Sequence, residues 1–123
     1  LKKILDYFIT GISAAIMLFF AIPKLLGKEQ SRAGFKEFGA ALSIDADLFR
    51  IFTGIAESGI AVLLILFIIT KKNLHGRLAF GFLLVTMISA IGLEFYARAE
   101  VKPVLVVIAV VLSIFSIYRL KTI

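Results

Sequence analysis

The chain has 123 residues, of which 61% are Ala, Val, Ile, Leu, Met, Phe, Trp, Tyr or Cys and 18% are charged, with 9 glycines and a net charge of +6. An average soluble domain is roughly 45–50% apolar with glycine included and about 25% charged, and a chain this short has too little interior to hide the excess. A soluble globular domain, a disordered chain and a disulfide-knit secreted module are excluded, which leaves a single integral membrane domain over residues 1–123.

A hydrocarbon layer about 30 Å thick needs roughly 20 apolar residues of helix to cross it. Four stretches meet that need, at about residues 4–26, 48–70, 78–97 and 101–118. Unpaired backbone groups cannot face lipid, so each is expected to be a helix, and the fold class is an all-α four-helix membrane bundle. The first run follows Lys2 and Lys3 but outlasts the roughly 7–15-residue core of a signal peptide, so a retained helix is expected.

The connection after it, residues 27–47, is long enough to hold structure of its own. Phe35, Phe38 and Leu42 recur at i, i+3 and i+7, which predicts a short amphipathic helix on the membrane surface or over the bundle mouth. Gly39 weakens it, and Ser43, Asp45 and Asp47 offer caps for the second span. Lys71 to Arg77 reads as a tight basic turn, while Arg98, Ala99 and Glu100 separate the last two spans. Pro103 falls in the first turn of the fourth, where its missing N–H costs least.

Both termini and the 71–77 turn share one membrane side. The 14 Lys and Arg divide evenly between the two sides, so they set no orientation by count. Acids offset several cations on the far side, which favours termini in the cytoplasm; the expected location is a bacterial inner membrane. On the termini side Lys71, Lys72, Arg119 and Lys121 read as a basic collar of headgroup anchors, with Asp6 the lone acid. No basic stretch interleaves with a base-stacking surface, so the positive charge implies lipid headgroups and no nucleic acid. With no cysteine and one histidine, His75, no thiolate nucleophile, iron–sulfur cluster, haem or metal site is expected, and no covalently bound cofactor.

A charged group at the centre of a span costs roughly 2.5–3.5 kcal/mol on insertion scales, so such groups point to function. Glu57 lies about 13 Å into the second span at 1.5 Å per residue, with Arg50 seven residues earlier on the same face and Gly54 between them. Glu94 nears the same membrane side on the third span, with Arg98 at i+4 and Tyr96 close by. Lys24 closes the first span there and Lys102 opens the fourth. All four helices can thus send an ionisable group to one end, beneath a lid of Phe35 and Phe38. The set Glu57, Arg50, Lys24, Glu94, Arg98, Tyr96, Phe35 and Phe38 reads either as a ligand or proton site or as a lattice that fixes helix register.

The run Phe19-Phe20-Ala21-Ile22-Pro23-Lys24-Leu25-Leu26-Gly27, then Phe35-Lys36-Glu37-Phe38-Gly39, then Arg50 to Leu64 with Gly54 and Glu57, resembles the DoxX-like family of small four-helix membrane proteins. The likeness lies in a lysine closing helix 1 and a G-x-x-E element opening a leucine-rich helix 2, and it covers roughly residues 10–70. It implies a four-helix fold and maps Lys24 and Glu57 to the family pattern. Relatives include a quinone-reducing subunit, accessory proteins of redox systems and membrane assembly factors. The resemblance therefore implies a quinone or lipid as ligand and a membrane protein as partner.

Three functions compete. The first is a binding or accessory protein with a small amphipathic ligand in the polar pocket. The second is a small proton-coupled transporter using Glu57. The third is a scaffold or homo-oligomer that meets other helices through Gly81, Ser89 and Gly92. No nucleophile–base pair, metal set or nucleotide loop is readable, so an enzyme is the least supported class.

Overall fold

The computed structural model describes residues 2–97 and 102–123, and the backbone alone of Lys2. The described residues form five helices: α1 (Lys2–Leu26), α2 (Glu29–Leu42), α3 (Ala46–Thr70), α4 (Asn73–Tyr96) and α5 (Pro103–Thr122). The fold is all-α. Four of the helices, all except α2, are long and apolar enough to cross a membrane, and the chain is a membrane protein of the helical-bundle class.

α1 lies along α3, α3 beside α4, and α4 beside α5, whereas α1 meets α5 only lightly. The interior is built from Met17, Leu64, Phe80, Leu83, Met87 and Leu112, all fully or almost fully buried. Around it, Phe8, Phe19, Phe52, Val85 and Ile114 stand exposed. Water would penalise that much apolar exterior, and lipid does not.

Helix ends differ from the sequence expectation where local capping decides them. α3 starts at Ala46, two residues before the hydropathy change, because the Asp45 side chain accepts a hydrogen bond from the Leu48 N–H at 3.0 Å. Replacing Asp45 with Ala should cost about 1 kcal/mol in equilibrium unfolding, and Asp45→Asn should keep most of it. Equal stability of wild type and Asp45→Ala would remove the cap from the account.

The expected 71–77 turn is corrected more sharply. α4 begins at Asn73, so only Lys71 and Lys72 connect two spans. Lys71 adopts the left-handed conformation at φ 58° and its N–H bonds back to Phe67 O at 2.9 Å, ending α3 in a single residue. Thr70 Oγ1 and His75 Nδ1 then meet at 2.8 Å across the turn, so His75 serves the connection.

α2 fills the long connection, as the phenylalanine spacing predicts, and folds against α3. Its inner face carries Gly34, Phe35, Phe38 and Gly39. Gly39 marks the point where the chain turns back. Ser43 is left-handed at φ 57°, and both the Ser43 and Ile44 N–H groups donate to Gly39 O. A Cβ at residue 39 would sit 2.9 Å from Ile44 O, so the glycine that weakens the helix is required by the turn.

Candidate functional site

α1 ends, α3 begins, α4 ends and α5 begins at one end of the bundle, and the charged groups there form two arrangements. In the first, Lys24 Nζ of α1 pairs with Glu57 Oε1 of α3 at 2.7 Å. Glu57 is the twelfth residue of the 25-residue α3, close to its middle. Its side chain is 5% exposed and that of Lys24 17%, so the pair sits between the helices with the lysine on the open side. Lys24 Nζ also donates to Phe20 O at 3.2 Å and lies 5.3 Å from the centre of the Phe20 ring. An ammonium has three protons, and the Phe20 carbonyl takes one of them, so Lys24 keeps donor capacity beyond its ion pair.

Arg50 completes the arrangement from α3. Its Nη1 donates to the backbone carbonyl of Lys24, and its Nη2 lies 3.3 Å from Asp47 Oδ1. The first contact satisfies one of the carbonyls that a helix end leaves without an internal partner. Arg50 therefore finishes α1 from a neighbouring helix, and its charge lies near the negative end of the α1 dipole. The Thr53 and Ser58 hydroxyls close onto Phe49 O and Gly54 O of their own helix, at 2.7 and 2.9 Å, and take no part in the pair.

The pair requires a close approach of α1 and α3, and Gly54 permits it. A Cβ there would meet Leu25 Cδ2 at 2.9 Å, Leu25 Cγ at 3.0 Å and Lys24 Cβ at 3.2 Å. Gly59 on the same helix has nothing within 4 Å of such a Cβ. Thus Gly54 acts through its lack of a side chain at a helix contact, as small residues do in membrane bundles.

The second arrangement joins α4 and α5. Glu94 is buried, and its Oε2 accepts a hydrogen bond from the backbone N–H of Lys102 at 3.2 Å. Lys102 is the residue before α5 and Pro103 its first, so Glu94 caps α5 from outside. Arg98, placed beside Glu94 by its spacing, lies outside the described residues. Tyr96, offered as a phenol for the site, is the last residue of α4 and 73% exposed, so it lines no enclosed pocket. Phe35 and Phe38 are buried, with Phe35 edge-on to both Phe38 and Phe49 at ring separations of 5.3 Å. Their rings fasten α2 to the start of α3.

At the opposite end, the plain basic collar needs correction. Arg119 is 7% exposed and is not a side chain extended freely among the headgroups. Its Nη1 lies 3.3 Å from Asp6 Oδ2 and 2.8 Å from Thr122 Oγ1. Its guanidinium also stands 5.4 Å from the Phe67 ring centre and 5.9 Å from that of Phe80. Beside it is a half-open cleft of about 200 Å³. The signal was Asp6, a lone acid among cations and close enough to the interior to need a partner.

Among the described residues no group of three or more His, Asp or Glu could hold a metal ion. No family model, curated protein or solved structure matches the chain.

Proposed function

We propose that this membrane protein binds a small amphipathic molecule, a quinone headgroup or a lipid, at the Lys24–Glu57 pair, and serves as an accessory component of a membrane redox or assembly system. The observation that carries this reading is an ion pair between the last turn of α1 and the middle of α3, whose lysine is partly open and has donor capacity to spare. Ionisable groups at that depth are expensive, and function is the usual reason that a chain holds them. A carbonyl or phenol oxygen of the ligand would accept from Lys24, with Glu57 holding the ammonium in place. The resemblance to DoxX-like proteins, on Lys24 and Glu57, supports the same ligand class. The location that goes with this reading is a bacterial inner membrane, and the acids that offset the far-side cations favour termini in the cytoplasm.

The test is a short-chain benzoquinone, with a single-chain lipid in parallel, added to purified protein in a neutral detergent. A ligand specific to the folded state should stabilise wild type by about 2.7 kcal/mol at hundredfold excess over Kd. Lys24→Gln should abolish that stabilisation, and Glu57→Gln should weaken it. Equal stabilisation of wild type and Lys24→Gln would remove the ligand from this site. Proton-driven flux in proteoliposomes that disappears in Glu57→Gln would instead make the protein a transporter.

A further inference from the structure

The cleft at the termini end has a chemistry of its own. It lies where α1 begins, α3 ends and α4 begins, at the depth of lipid headgroups for a spanning bundle. Lys3, Lys71 and Arg119 line it against one acid, Asp6, so its charge is positive on balance. Asp6 is already engaged by Arg119. Lys3 and Lys71 make no ion pair among the described residues, so both can turn toward an incoming group.

Two further features favour an anion. Arg119 is held in one orientation by Asp6, Thr122 and two aromatic rings, while its Nε has no hydrogen-bond partner. A guanidinium fixed in this way has already lost the side-chain freedom that binding would otherwise remove. Asn73, the first residue of α4, also lines the cleft, and the residue before it, Lys72, supplies no side-chain cap. The positive end of the α4 dipole therefore lies at this region, with no side chain of the preceding residue capping it. Tyr7 and Phe67 add apolar walls, and Ile4 and Phe8 stand exposed on neighbouring turns of α1, where acyl chains could lie.

We propose that this cleft is a binding site for a phosphate group, separate from the Lys24–Glu57 pair, with Lys3, Lys71 and Arg119 as its cationic donors. The phosphate could belong to an anionic phospholipid or be free in solution. Purified full-length chain in neutral detergent distinguishes the two by native mass spectrometry and thermal unfolding with phosphatidylglycerol, phosphatidylcholine or inorganic phosphate. Lys3→Gln combined with Lys71→Asn removes two charges without disturbing Arg119, and asparagine tolerates the left-handed backbone at residue 71. Lys36→Gln, an exposed cation on α2, is the control.

Each lysine near a headgroup should contribute about fivefold, so the double variant should bind the phosphate ligand about 25-fold more weakly. Lys36→Gln should bind as wild type does. A preference for phosphatidylglycerol over both other probes, lost in the double variant, supports the site with a lipid as its source. Inorganic phosphate that binds equally well and is lost in the same variant supports it with a free anion as source. The proposal is overturned if none of the probes binds, if phosphatidylcholine binds as well as phosphatidylglycerol with inorganic phosphate inert, if the double variant retains wild-type binding, or if Lys36→Gln lowers it equally. None of these outcomes bears on the benzoquinone test at the other end.

Discussion

Glu57→Met should destabilise the bundle by about 3 kcal/mol, and adding Lys24→Met should restore most of that loss. Removing one partner of a buried ion pair costs about 3–5 kcal/mol, because the other charge is left without compensation. The lower end applies because Lys24 is 17% exposed and its ammonium can move toward the headgroups. With both charges gone, two apolar side chains of similar length occupy the α1–α3 contact and no desolvated charge remains. The measurement is reversible unfolding in micelles of wild type, both single variants and the double variant. Were the double variant as unstable as the sum of the singles, the two residues would not be coupled and the pair would have no structural role.

The second large effect belongs to Gly54. Gly54→Val should lower stability by about 1–3 kcal/mol through overpacking. Its Cβ would meet Leu25 and Lys24 of α1 at 2.9–3.2 Å, and valine adds two methyl groups beyond that. α1 must then move outward, carrying Lys24 away from Glu57, so the coupling between these residues should shrink in the same background. Gly59→Val, five residues along α3 where a Cβ meets nothing within 4 Å, should change stability by less than about 0.5 kcal/mol. Similar losses at residues 54 and 59 would show that valine acts on the helix itself and not on its neighbour.

The four spans were legible because lipid imposes a simple rule on length and polarity, and 20–25 apolar residues satisfy it visibly. Lys24 and Glu57 were legible for the converse reason, as charges where the rule forbids them. Their direct pairing was not, because it depends on the separation of α1 and α3, which Gly54 sets through an absent side chain. The start of α4 was misread because Lys71 adopts a backbone conformation usually left to glycine, and side-chain type gives little warning of it. Arg119 was misread because a terminal arginine after tyrosine looks like an interfacial anchor. Only its partner Asp6, more than a hundred positions earlier in the chain, shows that it turns inward. The exposure of Tyr96 was not legible because helical spacing fixes relative direction within a helix but not how that helix is rotated against its neighbours.

The bond from Arg50 to the Lys24 carbonyl spans 26 residues of sequence. During synthesis, the end of α1 therefore emerges from the ribosome ahead of both Arg50 and Glu57. Until α3 arrives, the far end of α1 carries a lysine without its acid and a carbonyl without its donor. Such a helix is poorly suited to lateral release into lipid by itself. It is better kept beside the insertion machinery, or with Lys24 drawn up to the headgroups, until the α2–α3 segment follows. The contact between α1 and α3 is complete only once α2 and the first half of α3 have followed.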